Sequence, residues 1–195
     1  MNRRKFCLTS AAAAVSGAAA GLSCLTPAAA ASSVRLYRFI YDRRYSASRA
    51  FGAAAERARS TAGVAAIGGD VTALWSRDFR LQWSAGGGVI AGMTTARTLL
   101  CLEELAKDHW MRVVIRAEHA ISENQKIAHR LTASEPIIAR LTSALAAEDW
   151  PAKMPAALAT WQGADRASRT TRVIGSMRDD CWAMTDEKLA SFVIA

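Results

Sequence analysis

The sequence predicts an α/β protein: a layered, mainly parallel sheet of about four to five strands with flanking helices, followed by a C-terminal helical and β-strand segment. Three observations carry this expectation. Short β-branched or aromatic runs alternate with longer alanine-rich stretches of helical period over residues 34–119. Serines and threonines stand where a strand would hand over to a helix. Half of the 195 residues are apolar, enough for one core of ordinary size and against disorder. Strands separated by helices of this length pair in parallel with right-handed crossovers, so helices should cover both faces of the sheet.

Taken in order, VRLYRFIYD (34–42) is the first strand, with Val34, Leu36, Tyr37, Phe39 and Tyr41 supplying its β-rich character. SASRAFGAAAERARS (46–60) follows as a helix opened by a serine and filled with alanine. GVAAIGGD (63–70) reads as a second strand. VTALWSRDFRLQW (71–83) reads as a helix, since Val71, Leu74, Trp75 and Phe79 recur at helical spacing. GGVIAGM (87–93) is a third strand, and TTARTLLCLEELAKDHW (94–110) is a helix capped by Thr94 or Thr95. MRVVIRAEH (111–119), with Val113, Val114 and Ile115 consecutive, is the clearest buried strand.

Beyond His119 the texture changes. SENQKIAHRLT (122–132) and SEPIIARLTSALAAEDW (134–150) read as two helices, the second capped by Ser134 with Pro136 in its first turn and broken by Trp150-Pro151. RTTRVIGSM, CWAMT and LASFVIA have the composition of terminal strands, forming either a hairpin or additions to the main sheet. No internal repeat or long linker divides residues 32–195, which are expected to form a single α/β domain.

In parallel sheets ligands bind beyond the carboxyl ends of the strands, which directs attention to the residues just after each strand. These are Asp42-Arg43-Arg44-Tyr45, Gly68-Gly69-Asp70, Gly92-Met93-Thr94-Thr95 and Glu118-His119. If the strands are neighbours, Asp42, Asp70 and His119 converge as candidate catalytic groups. Arg43, Thr94, Thr95 and Glu118 are then candidate ligand or anion contacts, the threonines standing at a helix N-terminus. The plainer reading makes Asp70 and the threonines helix caps, places Asp42 and Arg43 in a solvated loop, and lets His119 only end a strand.

Familiar cofactor motifs are absent. Gly86, Gly88 and Ala91 match G-x-G-x-x-A in letters, but a helix precedes them and a strand follows, the reverse of a dinucleotide site. There is no C-x-x-C-H for haem c, no paired C-x-x-C for a zinc finger or iron–sulfur cluster, and no Walker, nucleophile-elbow or H-E-x-x-H pattern. His109, His119 and His129 recur every ten residues, a spacing that suits no metal site, and only His119 and Glu123 stand at i and i+4. His109, ending its helix, suits the helix dipole. Cys101 and Cys181 read as small core residues, or as one disulfide if they are close in an oxidising compartment. Of the six tryptophans, Trp75, Trp110 and Trp182 fall within elements and read as core, while Trp83, Trp150 and Trp161 adjoin loops and are candidate partner contacts.

The first 31 residues have a different plan. Arg3-Arg4-Lys5 forms a basic start, the run from Phe6 to Val34 carries no charge, and Ala29-Ala30-Ala31 offers a small-residue cleavage site near Ala30 or Ala31. Arg3-Arg4-Lys5-Phe6 resembles the R-R-x-F core of a twin-arginine (Tat) export signal, and the weakly hydrophobic Ala/Gly stretch suits that class. Asn2 and Cys7 depart from the pattern, standing where Ser or Thr and Leu are usual. Two further readings are an uncleaved anchor, for which Pro27 and the Ala, Gly and Ser content are poorly suited, and a lipoprotein at Cys24, for which Gly21 stands where Leu is wanted.

The resemblance implies export of an already folded protein through the Tat machinery to a periplasmic or secreted location, often with a cofactor or a partner subunit. Removing the leader lowers the formal charge from +8 to +5 and leaves no basic block, so no nucleic-acid partner is expected, nor a stable membrane span in the mature form. Two functions fit. One is an exported ligand-binding or accessory module that accompanies a redox enzyme and contacts a partner protein or small molecule. The other is a small hydrolase- or lyase-type enzyme acting on an anionic small molecule through His119 with Asp70 or Asp42.

Overall fold

Phe39 and Ile40 point to opposite faces of the first strand, β1 (Leu36–Asp42), and both are fully buried, so that strand lies in a sheet covered on both sides. This is seen in a computed structural model of the chain, which describes residues 36–58, 62–121, 127–161, 163, 168–175 and 188–195. The leader, Glu123, Cys181 and Trp182 lie outside the described residues.

After β1, helix α1 (Ser46–Arg57) buries Phe51 and Ala55 on one face of the sheet, and β2 (Gly63–Ile67) pairs in parallel with β1. Helix α2 then runs over the opposite face in three segments: Thr72–Leu74, a wider π-helical turn at Trp75–Phe79, and Arg80–Ser84. β3 (Val89–Thr95) returns on the far side of β1, again in parallel. Close approach at β3 is possible because residue 92 is glycine: a Cβ there would lie 2.6 Å from the Ile40 carbonyl oxygen. Thr95 caps α3 (Ala96–Lys107) by accepting a hydrogen bond from the Thr98 amide.

From here the chain departs from the expected plan. β4 (Val113–Ile121) is followed by β5 (Ile127–Ser134), antiparallel to it, where the sequence reads as a helix over 122–132. The alternation of His129, Leu131 and Ala133, all buried on one face, is a strand period; the polar letters before Ile127 obscure it. Helix α4 (Glu135–Leu145) ends before Trp150, and Trp150 opens a separate helix, α5 (Trp150–Ala159), with Pro151 in its first turn rather than acting as a breaker. β6 (Arg169–Ile174) pairs with β5, and β7 (Leu189–Ile194) inserts between β3 and β4, antiparallel to both.

The sheet therefore has seven strands in the order β2-β1-β3-β7-β4-β5-β6 and is mixed, which corrects the expectation of four to five mainly parallel strands. Only β1, β2 and β3 form the parallel part; of the expected terminal strands β6 and β7 join the main sheet, and CWAMT lies outside the described residues. Helices α1, α4 and α5 cover one face, with Phe51, Ile138, Leu141, Met154 and Leu158 in its core. Helices α2 and α3 cover the other, with Phe79, Trp83, Leu99, Leu102 and Phe192.

Candidate functional site

The switch between β1 and β3, where a parallel sheet usually opens a crevice, is filled by its own side chains. Asp42 is fully buried at the end of β1, and its carboxylate accepts from the Arg44 backbone amide and from the Arg44 guanidinium at 2.8–3.3 Å. Ser48 donates to the Met93 carbonyl at 2.5 Å and accepts from the Asp42 amide at 2.7 Å, tying α1 to both strands. Thr94 and Thr95 are buried, and the Thr95 cap already serves the α3 N-terminus. The Thr98 hydroxyl donates to the Gly69 carbonyl. These groups thus spend their hydrogen bonds on one another and on the backbone.

Asp70 is exposed and caps the following turn, accepting from the Thr72 amide at 2.8 Å; hydrogen bonding to the Thr72 side chain first, and to its amide second, lowers the Asp70 pKa. Arg43 and Asp70 do meet, lining a small cleft of about 440 Å³ with Arg38, Arg77 and Asp78. His119 is not part of it. β3 and β7 separate β1 from β4, which at about 4.8 Å per strand places His119 roughly 14 Å from Asp42. Asp70 lies in the turn after β2, the strand one step further from β4 than β1 is. The expected convergence of Asp42, Asp70 and His119 does not occur. Glu118 faces the other side of β4, bridged to Arg130 at 3.6 Å and Arg116 at 3.9 Å.

His119 instead belongs to a buried relay. Its Nδ1 lies 2.8 Å from His129 Nδ1 on the paired strand, and its Nε2 lies 2.8 Å from Ser191 Oγ on β7. His129 also hydrogen-bonds the backbone of Leu145, the last residue of α4, where the helix leaves carbonyls free. Only Nε2–H is left to make that bond, so His129 Nδ1 is the acceptor and His119 Nδ1–H the donor. His119 Nε2 then accepts from the Ser191 hydroxyl. Trp150 covers both rings, with centroids 4.2 Å from His119 and 4.7 Å from His129. Burial lowers both imidazole pKa values, His129 to about 4 and His119 well below its ordinary range, where the neighbouring imidazole adds to the effect. The nucleophile-like order of Ser191 and His119 is closed to substrate, since Ser191 is buried and neither cleft described here reaches it.

A large opening lies at the other end of the parallel strands. A cleft of about 1070 Å³ is bounded by the first residues of β1, β2 and β3 and by Trp83, His109, Trp110, Met111 and Trp161. Its floor is the turn Gly86-Gly87-Gly88, in which Gly86 and Gly87 have φ of 115° and 106°. Gln82 and Trp83 pin that turn by donating to the Gly87 and Gly88 carbonyls at 3.0 and 2.9 Å. Trp83 stacks on Phe79, and the His109 ring packs 5.5 Å from Trp75 and 6.0 Å from Trp83. Tyr37 donates to the Asp78 carboxylate, which raises the phenol pKa, and Arg38 Nε lies 3.1 Å from the same carboxylate.

Trp110 stands at the rim. It is 97% exposed and has φ of 61°, the left-handed conformation that normally ends a helix with glycine. The expectation that Trp110 is core is thus overturned: it lies past the end of α3, as does His109, which packs on tryptophans instead of ending the helix. Of the three expected contact tryptophans, Trp83 and Trp161 line the cleft, whereas Trp150 is buried over the histidine pair. Cys101 is exposed rather than core, and is the free cysteine among the described residues. No group of three or more metal-ligating side chains occurs among the described residues. Tyr37, His109, Trp110 and Ser191 were missed from sequence; the missing glycine after Lys107-Asp108 was the available signal for Trp110.

No protein-family model, curated protein or solved structure matches this chain. No described helix is long and apolar enough to cross a membrane.

Proposed function

We propose that this chain is an exported binding module, carried to the periplasm or beyond by its twin-arginine-like leader, and that it takes a ring-bearing small molecule into the aromatic cleft. The observation that carries the reading is Trp110, a large apolar ring held in solvent by an unfavourable backbone conformation at the rim of a cleft of ligand size. Exposing an indole and holding a non-glycine residue at positive φ both cost free energy, and a ligand stacked on the ring recovers part of that cost. Trp83, His109 and Trp161 supply further flat walls, and the glycine floor lets a ring approach the backbone closely.

The test is a fluorescence titration of the full chain with naphthalene sulfonate, riboflavin and a porphyrin as ring probes of increasing size. Saturable quenching that Trp110→Ala weakens about tenfold, the scale of one stacking contact, supports the reading. Binding indifferent to Trp110, or no saturable binding by any probe, contradicts it.

A further inference from the structure

Helix α5 joins the two features just described. Trp150, its first residue, lies over the His119–His129 pair, and Trp161, two residues past its end, is a wall of the cleft. The ten-residue helix is a rod about 15 Å long at 1.5 Å per residue. At the cleft end the Trp161 amide donates to the Leu158 carbonyl at 3.1 Å and its ring packs against the core, while its buried indole N–H has no hydrogen-bond partner among the described residues.

The relay at the other end is buried with both rings neutral. One proton lies between the two Nδ1 atoms, and His129 Nε2–H and the Ser191 hydroxyl complete the chain. A further proton on His129 Nδ1 opposes the His119 Nδ1–H, donor against donor, whereas one on His119 Nε2 can be accepted by the Ser191 hydroxyl but leaves a buried imidazolium that a neutral hydroxyl does not balance. Among the described residues no carboxylate lies there to compensate it. Glu118 and Arg130 point to the opposite face of β4 and β5, and Arg116 pairs with Glu103 on that side. From α4, Glu135 pairs with Arg172, and Arg140 is exposed. At α5, Asp149 pairs with Lys153 at 3.0 Å in solvent, and β7 presents only Ser191.

We infer that the histidine pair is an acid-sensitive latch on α5, and that protonating it releases the helix and withdraws the Trp161 wall from the cleft. The inference rests on the cleft being the binding site, and makes ligand retention depend on pH. The direction follows from burial: the closed state holds neutral rings, and the released state lets them take up protons. With His129 at about 4 when closed and near its ordinary 6.5 when released, acidification across that interval favours release by about 80-fold.

The experiment is a pH titration of the full chain labelled with 5-fluorotryptophan, followed by fluorine NMR, each signal assigned through single Trp→Phe variants. It contains no ligand, so failure of the cleft as a binding site leaves its outcome unaffected. The Trp150 and Trp161 signals are expected to move together between pH 6.5 and 4 while Trp75 and Trp83, on the other face of the sheet, stay in place. His129→Gln should abolish the joint transition; if that variant does not fold, the wild-type titration alone decides. A stationary Trp161 while Trp150 moves, or all signals moving together in global unfolding, overturns the inference, as does a Trp150 signal that stays constant to pH 4.

Discussion

His119 and His129 occupy directly paired positions on β4 and β5 and share a single proton between Nδ1 atoms 2.8 Å apart, beneath the indole of Trp150. The rings are neutral in the fold because burial disfavours the imidazolium. The unfolded chain takes up protons there that the folded chain refuses. Stability is therefore fully present above the unfolded value near 6.5 and is lost as pH falls toward the folded value, about 4 for His129. The loss should be about 2–3 kcal/mol over that interval. Urea denaturation at pH 7, 6, 5 and 4 checks it: wild type should weaken progressively, and a curve flat across this range would show that the rings are not held neutral.

Trp110→Gly should separate folding from binding. Glycine relieves the positive φ, worth about 1 kcal/mol, and the indole, being 97% exposed, loses almost no burial. The variant should unfold at higher urea concentration than wild type yet bind ring probes more weakly. Equal or lower stability would mean that the ring contributes to packing.

Gly52→Ala sets two effects against each other. Alanine in a helix interior gains about 1 kcal/mol over glycine. Here, however, the added methyl would lie 2.5 Å from a ring carbon of Tyr41, with two more at 2.6 and 2.7 Å. Overpacking of that kind costs about 1–3 kcal/mol and should win. A lower urea midpoint is expected; an increase would show that the Tyr41 ring moves aside freely.

Replacing Arg3 and Arg4 together by lysine should leave the protein in the cytoplasm if the leader acts as the twin-arginine signal it resembles. Cell fractionation with immunodetection reads the outcome. Unchanged export of the double variant would assign the leader to the general secretory route.

The α/β class and the early elements were legible because local signals and tertiary context agree there. β1, α1, β2 and β3 carry the right period, and Thr95 caps its helix. The mixed character of the sheet was hidden, because β7 lies far along the chain from β3 and β4 and no local pattern specifies which gap a strand enters. β5 was misread because its alternating core positions are His129, Leu131 and Ala133, one of them polar. The histidine was a sign of the relay rather than of a solvated helix. The polar residues at the carboxyl ends of the strands do not form the expected site, for a similar reason. Asp42, Ser48, Thr94 and Thr95 are the polar residues such a site needs, but here they satisfy one another and the backbone. The cleft at the opposite end draws on residues from six separate stretches, and of these only Trp83 and Trp161 stand out from the sequence as contact residues.

Where a ring ligand binds is the central question, and amide and indole chemical-shift mapping of the isotope-labelled chain during a naphthalene sulfonate titration answers it most directly. Saturable shifts are expected at Tyr37, Trp83, Gly86–Gly88, Trp110 and Trp161, with little change at Asp42–Arg44 or Gly68–Asp70. Shifts concentrated at those latter residues, at the opposite end of the parallel strands, would contradict the assignment of the aromatic cleft as the binding site.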